Sequence, residues 1–198
     1  MNEYTSHPYE EYIPENATKL ILGTIPPYRF CIRQGLHADD VDFYYGSRDN
    51  SFWELVSSAV HRKLHYEHTQ EAIDERKRLL DFMHMGIVDI IAGCTRQDGK
   101  ADDASLSNIE HRDLKTFLSK YPQIDTLIYT SKNLVPMVNH FADKGYHERW
   151  DSKKKNGFVQ INSKIYRVYI LYSPSPNALR GVEEETRKAQ YIEFFGMK

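Results

Sequence analysis

The 198 residues include only two cysteines, Cys31 and Cys94, and no Cys-x-x-Cys pair. A structural zinc or an iron–sulfur cluster held by four thiolates is therefore excluded, and both cysteines are expected as free thiols in a reducing compartment. Long apolar runs are missing too. Nothing approaches the ~20 residues of a membrane span, and no signal-peptide pattern opens the chain, so a cytoplasmic protein with no membrane partner is expected. Charge of one sign is not in excess either: 26 basic and 28 acidic residues leave a net charge of −2. No global basic field points to nucleic acid, although a local basic face is compatible with it. Repeats, low-complexity tracts and linkers are absent, and the reading is a single domain over 1–198, with residues 1–16 as an N-terminal arm, expected to be a monomer. Aromatic residues are plentiful, with Tyr 14, Phe 9 and Trp 2. Their first use is core and their second is a stacking surface.

Four short apolar runs read as buried strands: Lys19–Gly23, Ile87–Ile91, Ile124–Thr130 and Ile165–Leu171. The last is the second arm of a hairpin with Phe158–Ile161, turning at Asn162-Ser163-Lys164. Helical patterns fall between them, across Phe52 to about Leu64, 71–85, about 105–120, 132–143 and from Gly181 onward. The alternation predicts an α/β fold of three layers, α/β/α, with a mainly parallel central sheet of about four strands. Clusters of glycine, proline and small polar residues follow the strands at Gly23–Tyr28, Gly93–Arg96 and Ser173–Asn177. Ligands gather at such strand ends in open parallel sheets. The acidic loop with Asp98, Asp102 and Asp103 reads as solvated and helix-capping rather than metal-binding. The basic turn 151–157 reads as an exposed hairpin tip.

The most specific stretch is Tyr44-Tyr45-Gly46-Ser47-Arg48-Asp49-Asn50-Ser51-Phe52-Trp53. Ser51-x-x-Glu54 has the form of a capping box, with the Ser51 hydroxyl as helix N-cap and Glu54 reaching back. On that reading Asn50 lies just outside the helix with a free amide near the positive end of the dipole. A plain turn asparagine is the alternative.

Taken together these segments resemble the uracil-DNA glycosylase superfamily, and most of all its hypoxanthine-DNA glycosylase branch. Leu20-Ile21-Leu22-Gly23-Thr24-Ile25-Pro26 resembles the first motif, an apolar strand running into Gly-Ser-x-Pro-Gly. Tyr44-Tyr45 with Asn50-x-Phe52-Trp53 matches the branch's spacing residue for residue. Gly86-Ile87-Val88-Asp89 through Cys94-Thr95-Arg96 resembles the strand ending in Cys-x-Arg, and Ser173–Ala178 resembles the late Ser-Pro loop. The chain departs from the pattern at Pro27, where the branch has glycine, and at Ser173, where sister families carry histidine. The first motif also has no acid or asparagine to activate water.

The resemblance implies an enzyme that flips a deaminated base, uracil or hypoxanthine, out of DNA and hydrolyses its N-glycosidic bond in base excision repair, with no cofactor and no metal. Flipping is least costly at mismatched or damaged pairs. The expected base-binding residues are Gly23, Thr24 and Ile25, whose amides serve as donors, and Tyr44 or Tyr45 as stacking surface. Asn50 is the expected catalytic residue, with Asp49 as the neighbouring carboxylate. Arg29, Arg48, Arg96 and the loop Ser173, Pro174, Ser175, Pro176 and Asn177 are the expected DNA contacts, with Arg33, Lys132 and Arg180 also around the crevice. The alternative is a non-catalytic or repurposed member of the fold that binds nucleic acid, nucleotide or protein.

Overall fold

A computed structural model describes residues 3–96, 105–148, 156–178 and 181–196. Its centre is built from the apolar runs. Strands β2 (Lys19–Gly23) and β3 (Met85–Asp89) lie side by side in parallel, with Leu20 opposite Gly86 and Leu22 opposite Val88. Strands β6 (Thr126–Tyr129) and β9 (Lys164–Ile170) extend the parallel set on the other side of β2. The sheet does not stop at four strands. Strands β8 (Asn156–Ile161) and β7 (Lys144–Glu148) add on antiparallel, giving six strands in the order β3-β2-β6-β9-β8-β7. Strand β7, directly after the segment expected as a helix across 132–143, was not expected, because an exposed edge strand carries no apolar alternation to announce it.

Residues alternate across the sheet as a pleat requires. Leu20, Leu22, Leu127 and Tyr129 face a core completed by α4 (Leu114–Ser119) and α5 (Leu134–Asn139). Ile21, Ile87 and Ile128 face the other core, completed by α2 (Phe52–Ala59), α3 (Gln70–Met83) and α6 (Glu184–Phe195). Helices thus cover both faces of the sheet.

A second, three-stranded antiparallel sheet was not expected. It joins β1 (Glu3–Ser6), β4 (Ile91–Arg96) and β5 (Leu106–His111), in the order β1-β4-β5. The expected strand Ile87–Ile91 in fact ends at Asp89, and after Ile90 the chain continues as β4 in the other sheet. Gly93–Arg96 is therefore strand, not a loop at the crevice. The helix expected across 105–120 is strand β5 followed by the short α4. The segments 97–104 and 149–155, with the acidic loop and most of the basic turn, lie outside the described residues, as does Arg180.

The connections create one opening. From β2 the chain runs through a four-residue helix, α1 (Tyr28–Cys31), to α2 and α3 on one face, whereas β6 is reached through α4 on the other. Loops leaving the carboxyl ends of the parallel strands part there, the arrangement that leaves a crevice in open α/β sheets.

Candidate functional site

That crevice is a cleft of about 570 Å³, within the ~300–1,000 Å³ of sites that enclose small ligands. Thr24–Pro27 after β2, Asp89 at the end of β3, Thr130–Asn133 after β6 and Tyr172–Pro176 after β9 all line it, together with Tyr45, Ser47, Asp49 and Asn50. Residues far apart in sequence meet because each follows a parallel strand. Of these, Lys132 was expected around the crevice, whereas Thr130, Ser131, Asn133 and Asp89 were missed in the sequence, although the strand-end rule applies to them equally.

The two adjacent tyrosines part company. Tyr44 is in the core, 1% exposed, with its hydroxyl donating to the Glu10 carbonyl at 3.1 Å and its ring against His7, Tyr9 and Phe43. Burial pushes its phenol pKa well up. Tyr44 is thus no stacking platform. Tyr45 has a left-handed backbone, φ 56°, which turns it into the cleft. Its ring is stacked on buried Phe52 with centroids 4.4 Å apart, and its hydroxyl pairs with Thr130 Oγ1 at 2.8 Å. Thr130 donates its own hydroxyl to the Leu22 carbonyl at 3.0 Å, so Tyr45 is the donor of the pair. The turn needs Gly46, where a Cβ would fall 1.8 Å from the Val41 carbonyl oxygen.

The Ser51 capping box does not form. The Ser51 hydroxyl and amide both donate to the Pro174 carbonyl, each at 3.1 Å, and tie the late loop to the start of α2. The orphan amide of Phe52 is taken instead by Asn50 Oδ1 at 2.9 Å, an Asx turn. Asn50 is therefore both cap and cleft residue. Its oxygen is pinned to the backbone, and among the described residues its Nδ2 has no partner, which presents a donor at the positive end of the helix. The spacing Tyr-Tyr-x-x-x-x-Asn-x-Phe-Trp thus has a physical content. Phe52 backs Tyr45, Asn50 caps Phe52, and the Trp53 indole donates to the Tyr44 carbonyl at 2.7 Å.

The loop between them is clamped by Arg29. Its guanidinium binds Asp40 through Nε at 2.8 Å and Nη2 at 3.0 Å, and Nη2 also reaches Ser47 Oγ at 2.8 Å and Asp49 at 3.3 Å. Burial alone raises the Asp40 pKa, but hydrogen bonds from Arg29 and from the Arg48 and His37 amides outweigh it and hold the carboxyl at about 2. Asp49 lines the cleft but is half exposed and paired with Arg29 and Arg48.

At the first loop, Thr24 and Ile25 line the cleft, and the Ile25 amide has no partner among the described residues. Gly23 lies beneath. A Cβ there would sit 2.1 Å from Asp89 Oδ1 and 2.2 Å from the Tyr45 hydroxyl, so only glycine lets these two polar groups come together. Asp89, 5% exposed, is the buried carboxylate of the site, and its Oδ2 pairs with His7 Nε2 at 2.9 Å.

The basic rim is thinner than expected. Arg29 and Lys132 line the cleft. Arg96 is only 2% exposed and donates through Nη2 to the Pro26 carbonyl at 2.6 Å, bracing the first loop from within rather than facing a ligand. Arg48 pairs with Asp39 and Asp49 on the surface, and Arg33 pairs with Asp42. Ser173, Pro174, Ser175 and Pro176 form one wall; only the backbone of Asn177 is described. Among the described residues no group of three or more His, Cys, Asp or Glu side chains is placed to hold a metal ion. No helix among them is long and apolar enough to cross a membrane.

Comparison with family models and with curated proteins gives no match. Among solved structures, this chain is similar to a protein from Methanosarcina acetivorans, determined by solution NMR and described as "a putative Uracil DNA glycosylase". The TM-score is 0.63 over 98% of this chain and 97% of that one, at 17% sequence identity. At that identity the likeness is one of fold, and it runs the length of both chains.

Proposed function

We propose that the protein is a DNA glycosylase that draws a deaminated base, uracil or hypoxanthine, into this cleft and hydrolyses its N-glycosidic bond in base excision repair. The observation that carries the reading is the convergence of Thr24–Pro27, Tyr45, Asn50 and Ser173–Pro176 on one cleft, in a fold shared with a protein described as a glycosylase. Bond cleavage builds positive charge on the sugar and negative charge on the base. Tyr45 offers its ring as the stacking surface, held flat by Phe52. The Asn50 amide and the Ile25 N–H are donors toward the charge developing on the base. Asp89 supplies negative charge in a buried wall, whereas Asp49 is already committed to two arginines. The Ser173–Pro176 wall, tied to α2 through Ser51, is the part that enters the space left in the duplex.

The test is a panel of duplexes holding uracil, hypoxanthine, xanthine or mismatched thymine, scored for abasic product under single-turnover conditions. Product from uracil or hypoxanthine is expected. Binding without product on every duplex would sink the enzymatic reading in favour of a non-catalytic binder. The sparse basic rim favours that second reading, since Arg29 is already engaged by Asp40 and Asp49.

A further inference from the structure

His7 belongs to the N-terminal arm, yet its side chain is only 3% exposed and reaches the wall of the cleft. The arm is anchored on both sides of it. Before His7, β1 pairs with β4, and the His7 amide itself donates to the Ala92 carbonyl at 2.7 Å. After it, Tyr12 and Ile87 exchange backbone hydrogen bonds at 3.2 and 2.9 Å, which lays the arm along the outer edge of β3. The imidazole packs against Tyr9 and Tyr44, with centroids 5.7 and 5.5 Å away. This gives buried Tyr44 a purpose that the spacing did not disclose: it backs His7.

The two ring nitrogens define what His7 does. Nδ1 lies 3.1 Å from the Tyr9 amide and 3.0 Å from the Tyr9 carbonyl. A neutral ring accepts the first with Nδ1, and a protonated ring donates to the second. In either of these arrangements Nε2 carries a proton, and it points at Asp89 Oδ2, 2.9 Å away, whereas the tautomer protonated at Nδ1 alone would turn a lone pair toward that carboxylate oxygen. Asp89 is held from its main chain as well, where Arg112 Nε donates to its carbonyl at 3.3 Å. One carboxylate oxygen is thereby fixed, and the other, Oδ1, lies over Gly23 beside the Tyr45 hydroxyl. Tyr45 uses its own proton on Thr130. An acceptor held at a cleft wall calls for a donor from the ligand.

We propose that His7 is a positioning residue that holds Asp89 as the acceptor for the ring N–H of a deaminated base. Uracil at N3 and hypoxanthine at N1 carry a proton where cytosine and adenine carry a lone pair, which a carboxylate repels. The inference rests on the glycosylase reading and names its selectivity.

His7→Phe keeps a ring without a donor, and His7→Gln restores an N–H near the position of Nε2. Excision of uracil and hypoxanthine is expected to fall ~10-fold or more in His7→Phe, the effect of losing one hydrogen bond to a charged group, and to return to within about threefold of wild type in His7→Gln. Melting temperatures identify any variant that merely unfolds. Imidazole ¹⁵N spectra of the free wild-type protein supply a readout independent of catalysis, and Nε2 should carry a proton. A bare Nε2, or His7→Phe equal to wild type in an active enzyme, overturns the proposal and leaves the glycosylase reading standing. Should wild type excise nothing, the glycosylase reading fails. The acceptor role is then decided by titrating free uracil, hypoxanthine, cytosine and adenine, and the absence of any preference for the first two overturns it.

Discussion

At the residue scale, Asn50 does two things that sequence spacing assigned to different residues. Its oxygen caps Phe52 and its amide nitrogen faces the cleft. Asn50→Ala is therefore expected to lose about 1 kcal/mol of stability as well as roughly 10²-fold in cleavage rate. Asn50→Ser separates the two effects, because serine still caps but has no amide. It should unfold within about 0.5 kcal/mol of wild type and still show the rate loss, measured by denaturant unfolding beside single-turnover cleavage. Equal rates for Asn50→Ser and wild type would reduce Asn50 to a cap. The tyrosines give a second contrast. Tyr44→Ala opens a core cavity and should cost about 3–5 kcal/mol. Tyr45→Ala should cost less stability and impair retention of the flipped base, read by binding to duplex with the damaged base. No pattern of types distinguishes two neighbouring tyrosines. What separates them is one backbone angle, the φ of 56° at Tyr45, and that follows from the tight turn at Gly46.

At the scale of elements, the legible parts were those buried on both sides. Strands β2, β3 and β6 are buried almost throughout, β9 shows itself instead by alternating buried and exposed residues, and the ends of the four located the cleft. Strand β5 was hidden because four of its six residues are exposed, leaving no apolar alternation for an edge strand to display. The departure of β4 into a second sheet was hidden because Ile87–Ile91 is one apolar run with the change of sheet inside it. Arg96 was consequently placed at the cleft instead of beneath it. The loop that carries Tyr45 and Asn50 is held by the Arg29–Asp40 pair, whose carboxylate is fully buried. Removing one partner of such a pair leaves the other unmatched, so Asp40→Asn is expected to cost roughly 2–3 kcal/mol, somewhat below the fully buried case because Arg29 is partly exposed. The pair also sets a pH dependence. With the folded Asp40 carboxyl at about 2, below its ordinary 3.8, the folded state binds fewer protons than the unfolded one. The stabilisation is complete above about pH 4 and is lost as pH falls through about 2. Urea unfolding across that window should show the fall in wild type and a flatter profile in Asp40→Asn.

At the scale of the whole molecule, the proposed function raises the question of how a chain of net charge −2 would hold a polyanion. Most arginines near the cleft are neutralised: Arg29 by Asp40 and Asp49, Arg33 by Asp42, and Arg48 by Asp39 and Asp49. Lys132 lines the cleft with no ion pair among the described residues. Each phosphate neutralised adds about −0.9 to the slope of log K against log salt. At most two contacts, from Lys132 and from Arg29 where a phosphate displaces the half-exposed Asp49, thus predict a slope no steeper than about −2, or at most about a tenfold loss of affinity between 50 and 200 mM salt. A binder with six to ten contacts would lose ~10³–10⁵ over the same range. Affinity must then come mainly from capture of the flipped base by Tyr45 and the cleft, so duplex with the damaged base should bind much more tightly than undamaged duplex at every salt concentration. Lys132→Gln should lower the slope by about one and weaken binding to both duplexes alike. A slope near zero would mean that DNA is not the partner. A slope of −6 or beyond would mean that affinity rests on many phosphate contacts rather than on the cleft, and the selectivity argued for Tyr45 and Asp89 would then be too small a part of binding to find damage among undamaged sequence.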